Sequence, residues 1–144
     1  MVSIEWRNGV FCFIDQTKLP HEELYVETGD YKIVGEAIRK LQIRGAPAIG
    51  VAAAFGMVLA VHSPVVDSLR KLNEEFSAAF NFLSQTRPTA VNLFWALERM
   101  RQAFDQNNRA DLPNMRRLLL NEAKEILLED VEACIKIGEY GASL

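Results

Sequence analysis

The sequence predicts an α+β fold, a small N-terminal antiparallel sheet followed by a helical bundle. Three observations carry that prediction. Asn8-Gly9 stands between two β-rich apolar runs. From Tyr31 onward the apolar residues recur three and four apart instead of alternating. The stretch Ala46–Val61 is wholly apolar or small, the pattern of a helix buried on every side.

The elements run in order along the chain. Asn-Gly between apolar, β-rich runs is the strongest short hairpin signal, so Ile4–Arg7 and Val10–Ile14 are paired strands. Residues 15–20 break the pattern, and residues 24–28 form a third strand ended by Gly29-Asp30. The strand region as a whole is placed at about residues 3–28. Asp30 suits the N-cap of a first helix over residues 31–41. The apolar helix covers residues 47–62 and is interrupted by Ser63-Pro64. A third helix is expected over residues 66–83, because Leu69, Leu72, Phe76, Phe80 and Leu83 share one face. A fourth covers residues 90–104, and polar residues 105–109 make a loop. The last helix is long, residues 114–138, with Met115, Leu119, Ala123, Ile126, Leu127, Val131, Cys134 and Ile135 as its apolar stripe. Glu122, Glu125, Glu129 and Glu132 lie largely off that stripe and are expected to face solvent. Gly138 and Gly141 read as a helix end leading into something else, where a domain boundary would fall.

The 144 residues are enough for one domain with a sizeable core. Hydrophobic residues make up 49% and charged residues 24%, which places the chain among soluble globular proteins. The net charge is −3 and no basic run exceeds Arg116-Arg117, so nothing marks an electrostatic footprint for nucleic acid or an anionic membrane. The apolar stretch is shorter than the about 20 residues a bilayer crossing needs. Glu5 and Arg7 interrupt the start before any apolar run, so no signal peptide is expected and the compartment is expected to be cytoplasmic. Cys12 and Cys134 both sit among apolar residues and read as small core hydrophobes. His21 and His62 lack any partner at metal-ligand spacing, so no metal and no cofactor are expected.

Two loops carry the chemistry. In Ile43-Arg44-Gly45-Ala46-Pro47, Pro47 suits the first turn of a helix and Gly45 permits left-handed backbone close to a ligand. The helix start offers free N–H donors, and Arg44 stands just outside it with a fork that fits phosphate oxygens. In Thr86-Arg87-Pro88-Thr89-Ala90 the logic repeats: Pro88 fixes the approach, Thr89 is the expected cap, and Arg87 projects before the helix start. Two such loops can address one dianion. Taken singly, each is also what an ordinary solvated arginine before a helix looks like, since short motifs recur by chance.

The run from Ile43 through Gly50 to Ala54 resembles the signature of the methylthioribose-1-phosphate isomerases, as does the run from Thr86 through Asn92 to Leu93. Asp15-Gln16, followed by Leu19-Pro20, is similar to the segment after that family's first hairpin. The matches occur in the family's order and span essentially the whole chain. The resemblance implies an enzyme of methionine salvage that converts 5-methylthioribose 1-phosphate to 5-methylthioribulose 1-phosphate. It carries the substrate-binding segment onto Arg44, Gly45 and Ala46, and the second binding arginine onto Arg87. It implies a homodimer whose catalytic cysteine and aspartate belong to a larger, Rossmann-like C-terminal domain.

The sequence departs from that family by ending before the second domain, so residues 1–144 are read as a single N-terminal domain, inactive on its own. Neither Cys12 nor Cys134 lies in a segment like the catalytic cysteine's loop, and no catalytic residue is assigned. The expected partner is a small sugar phosphate, with no nucleic acid and no membrane. Ring opening by acid–base action must precede the hydrogen shift, which runs as a proton through an enediol-like species or as a hydride. Two other members of the superfamily are rivals: ribose-1,5-bisphosphate isomerase, which the phosphate loops fit equally well, and the regulatory subunits of the translation-initiation exchange factor, which share the superfamily fold and act as non-catalytic binding proteins. Pro47-Ala48 after Arg44-Gly45-Ala46 favours the methylthioribose enzyme over the first, and retention of both arginine loops argues against the second.

Overall fold

The computed structural model describes the backbone of residues 4–142, and side-chain environments as far as Lys136 with the exception of Cys134. The expected strand start at residue 3 and the expected packing of Cys134 lie outside the described residues. Three strands, β1 (Ile4–Arg7), β2 (Val10–Ile14) and β3 (Tyr25–Thr28), form an antiparallel sheet in the order β1-β2-β3. Asn8 and Gly9 both take positive φ, 49° and 83°, as a two-residue primed turn requires. Register pairs Trp6 with Phe11 and Ile4 with Phe13 on one face. That face packs on a helix: Trp6 and Phe11 stack on Phe55 at ring separations of 5.4 and 5.7 Å. On the other face Cys12 lies opposite Glu5 and Glu27, buried as expected, and burial raises its thiol pKa.

Five helices come after the sheet: α1 (Tyr31–Arg39), α2 (Ala46–Val61), α3 (Leu69–Ser84), α4 (Val91–Gln106) and α5 (Leu112–Ala142). Asp30 caps α1 as expected, its carboxylate accepting from Lys32 N–H at 2.9 Å. The helix ends earlier than predicted because Leu41 turns left-handed at φ 65°. The Gln42 N–H then reaches Ala37 C=O at 2.9 Å and the Leu41 N–H reaches Ile38 C=O at 3.3 Å, a Schellman closure with leucine where glycine is usual. Helix α2 is the axis of the domain. It is buried from Ile49 to Val61 and packs against α1, α3, α4, α5 and the sheet, which is why no polar face is written into it. At Gly50 it comes so close to α4 that an added Cβ would meet Asn92 C=O at 3.1 Å.

Three further boundaries differ from expectation for identifiable reasons. Helix α3 starts at Leu69, not 66, because Ser68 accepts from Lys71 N–H and caps it; Val66 precedes the helix and enters the core from the loop. Helix α5 starts at Leu112, behind Asp111, which accepts from Asn114 N–H at 3.1 Å. It then runs through Gly138 and Gly141 to Ala142, so the glycines do not end it. A helical glycine costs only about 1 kcal/mol. Met115, Leu119, Ala123 and Ile126 are buried as the stripe predicts, whereas Val131 and Ile135 are exposed by 45% and 55%. Among the described residues no helix is long and apolar enough to cross a membrane.

Candidate functional site

The two predicted loops meet. Helix α2 begins behind Gly45, at φ 94° and ψ 131°, with a proline in its first turn and no side chain capping it. Helix α4 begins behind Ala90, again with no side-chain cap. Thr89 therefore does not cap α4 as the sequence suggested; the Arg87–Ala90 turn, closed by Ala90 N–H to Arg87 C=O at 3.0 Å, carries the chain past it. Uncapped N-termini retain donors and the positive end of the helix dipole. Both starts open on one cleft of about 390 Å³, lined by Gly45, Ala46 and Ile49 from the first loop and helix, and by Arg87, Thr89 and Asn92 from the second.

Three of the four expected binding residues, Gly45, Ala46 and Arg87, thus line the same cleft. Arg44 does not. Its side chain is exposed and lines a separate small hollow with Gln16, Ile14 and Ala48. Arg87 is half-buried. The close approach at Gly50 sets how far apart the two helix starts stand, because it lies one turn inside α2 against the first turn of α4.

Each loop has its own support. Thr86 is buried, and its hydroxyl donates to Leu83 C=O at 2.7 Å. The Arg44 loop is held from farther away. Asp15, only 1% exposed, accepts from Thr17 N–H at 2.9 Å and its hydroxyl at 2.5 Å through Oδ1, and from Gln42 Nε2 at 2.8 Å through Oδ2. Burial alone would raise the Asp15 pKa, but the hydrogen bonds from Thr17 and Gln42 outweigh it and hold the carboxyl below its ordinary value. Sequence reasoning noted the Asp15-Gln16 segment and missed Gln42, whose only signal was its place just before the arginine motif.

A second cavity of about 340 Å³ touches the first through Asn92 and is bordered by Pro47, Trp95, Glu129 and Asp130. Arg99 stands beside it, over the Trp95 ring at 5.4 Å. Its guanidinium bonds to Glu122 at 2.7 Å and to Glu129. These α5 acids were expected merely to face solvent. Glu125, Glu129 and Glu132 are exposed as expected and Glu122 is half-buried; Glu122 and Glu129 in addition tie α5 to α4 through Arg99, whose hydrogen bond lowers the Glu129 pKa. His62 ends α2 with Nδ1 2.9 Å from Val58 C=O and its ring edge toward Trp6, and burial lowers its pKa; His21 is exposed. No group of three metal-ligating side chains occurs among the described residues.

Residues 42–144, from the Asp15–Gln42 contact through both arginine loops to α5, match the family model described as "Initiation factor 2 subunit family". The chain belongs to that family. This member is 48% identical over 142 residues to the methylthioribose-1-phosphate isomerase of Geobacter sulfurreducens and, over the same length, 48% identical to that of Geobacter metallireducens. Each match covers 99% of this chain but 41% of the relative, so the chain spans about two fifths of the curated relatives it matches. Its fold superposes on the crystal structure of 5-methylthioribose 1-phosphate isomerase from Pyrococcus horikoshii with a TM-score of 0.94 at 38% identity, covering 99% of this chain and 40% of that one. It also superposes on the translation initiation factor eIF-2B delta subunit from A. fulgidus with a TM-score of 0.90 at 40% identity, covering 98% and 41%.

Proposed function

We propose that this chain is the N-terminal, substrate-phosphate-binding domain of an aldose–ketose isomerase that converts 5-methylthioribose 1-phosphate to 5-methylthioribulose 1-phosphate in methionine salvage. The observation that carries the reading is the meeting of the two loops at one cleft, with Gly45, Ala46 and Arg87 in its lining. A dianion there would face two uncapped helix starts and one half-buried guanidinium, a donor set suited to phosphate. Arg44, exposed and next to Gly45 in the chain, completes the set in this reading by reaching toward the same anion from outside the lining. The names of the curated relatives support the substrate.

In this reading the domain contributes binding and orientation, which lower the barrier by holding the sugar in place. Acid, base and nucleophile come from the Rossmann-like domain in the portion of the relatives that this chain does not span. Cys12 is unsuited to the role: it is buried and its pKa is raised, the opposite of an activated thiol. The complete protein is a cytoplasmic homodimer in the same reading.

A second reading has one observation in its favour. The eIF-2B delta subunit matches the fold about as well as the isomerase does, which supports a binding module without chemistry. Titrating the chain with 5-methylthioribose 1-phosphate separates the two. The isomerase reading expects saturable binding, competed by inorganic phosphate, weaker for ribose 1,5-bisphosphate and weakened by Arg87→Ala, with no turnover by the chain alone. No binding of either sugar phosphate would favour the module, and steady turnover by a pure sample would overturn the division of labour.

A further inference from the structure

We infer that the Asp15–Gln42 contact is a positioning device for the anion-binding loop, a role beyond stabilising the fold. The inference rests on the phosphate reading proposed for the cleft. A buried carboxylate is costly unless its lone pairs are engaged, and both oxygens of this one are bonded at only 1% exposure. One oxygen is taken by Thr17, which shapes the short 3-10 turn Gln16–Lys18. The other reaches across the chain to Gln42 Nε2 at 2.8 Å. The backbone repeats the tie next door, where Gln16 N–H donates to Gln42 C=O at 2.8 Å. Gln42 is thereby fixed by side chain and main chain at once.

The residues on either side of Gln42 give the tie its purpose. Ile43 is buried in the core, Arg44 and Gly45 are exposed, and Gly45 takes the positive φ from which α2 starts. Before Gln42 the chain leaves α1 through Leu41, itself left-handed at φ 65°. Two unusual backbone conformations thus bracket a short connection, and the pair of ties to Gln42 lies between them. A loop that must present Gly45 and Ala46 N–H groups to an anion needs such fixing, because donors set before the ligand arrives cost nothing to reorganise. Gln42 and Asp15 do not line the cleft. They act through the loop.

The test uses the whole chain, inorganic phosphate as the probe, and amide NMR of Gly45 and Ala46 as the readout. It is run at low temperature, where circular dichroism shows each variant folded. Gln42→Met removes the donor without adding charge, and Gln42→Glu sets a second carboxylate against Asp15. Both are expected to weaken phosphate binding about ten-fold, the scale of one hydrogen bond to a charged group. Asp15→Asn combined with Gln42→Glu has the wild-type charge and restores a donor–acceptor pair, and is expected to recover most of the affinity. Should Gln42→Glu fail to fold, Gln42→Met still decides. Lower melting temperatures with unchanged phosphate affinity would show a structural role only and overturn the inference, as would a folded double variant that recovers nothing. Wild-type chain that shows no shift at Gly45 or Ala46 would overturn the phosphate reading and this inference with it, whereas full-strength binding by Gln42→Met overturns the inference alone.

Discussion

The two loops that meet at the cleft are alike at the helix start and differ in what holds them. The Arg87 loop is supported within its own neighbourhood: Thr86 donates to Leu83 C=O at 2.7 Å, and Ala90 N–H closes the turn on Arg87 C=O. The Arg44 loop is tied through Gln42 to a residue 27 positions away, the Asp15 carboxylate. A local turn forms as soon as its helices form, whereas a distant tie depends on the sheet being docked. The second loop therefore inherits its geometry from α3 and α4, and the first from the whole sheet-and-helix layer.

The largest way to break this contrast is at Leu83. It is fully buried and packs against Gly56 of α2, beneath the turn that carries Thr86 and Arg87. Leu83→Ala is expected to cost about 2–5 kcal/mol of stability, the range for truncating a core leucine. Urea unfolding measures it, and a loss well under ~1 kcal/mol would mean the second loop is held from elsewhere.

Next in size is the contrast between the arginines themselves. Arg87→Ala should weaken phosphate binding by roughly ten- to a hundred-fold, at about 1.5–3 kcal/mol for a hydrogen bond to a charged group. Arg44→Ala should weaken it less, because Arg87 lines the cleft and Arg44 does not. Lysine should rescue either one only in part, since it keeps the charge and loses the fork. Calorimetric titration with thermal melts as the control checks the order; equal losses in the two variants would mean that both arginines hold the anion alike.

A smaller effect comes from the fact that one tie is ionisable and the other is not. The folded-state pKa of Asp15 lies below its ordinary value. Its contribution to stability is therefore complete above the usual aspartate range and is lost as pH falls through the folded-state value. Asp15→Asn should be less stable at neutral pH and should show a shallower acid limb. Urea midpoints measured from neutral to acid pH test this, and parallel curves for the two proteins would mean that Asp15 contributes nothing ionisable to stability.

The smallest expected change sharpens the comparison at the entry to the first loop. Leu41 is exposed by 44% and holds φ 65°. A left-handed non-glycine residue costs roughly 1–2 kcal/mol, and glycine's extra chain entropy returns about 0.5–1 kcal/mol of it. Leu41→Gly should therefore raise stability by up to about 1 kcal/mol, read as an upward shift in melting temperature. A lower melting temperature would mean that the Leu41 side chain holds the loop entry more firmly than its backbone strains it.

Much of this was legible in the sequence. Asn8-Gly9 specified the hairpin, Asp30 the start of α1, and the unbroken apolar run of α2 its burial in the core. Gly45, Arg44 and Arg87 could be named as candidate site residues because glycine and arginine at a helix start have local physical consequences, and Ala46 through the family resemblance; Arg44 alone of the four is absent from the cleft lining. The start of α3 was not legible because Val66 fits the helical period, yet enters the core from a loop. The role of the α5 acids was hidden because their partner, Arg99, lies 23 and 30 positions away from Glu122 and Glu129, a distance no period reveals. That two such loops can address one anion was legible, whereas the geometry that brings them together, α2 and α4 packed closely near their starts, was not.

That close packing has a consequence for how such a cleft changes over time. At Gly50 a single hydrogen stands where any other residue would place a carbon 3.1 Å from Asn92 C=O, and the neighbour would have to give by a few tenths of an ångström. The spacing of the two donor sets is therefore fixed by the absence of one methyl group, outside the lining of the cleft itself. A lineage that needed a wider mouth for a bulkier anion could obtain it at position 50 while leaving both loops, and their chemistry, as they are.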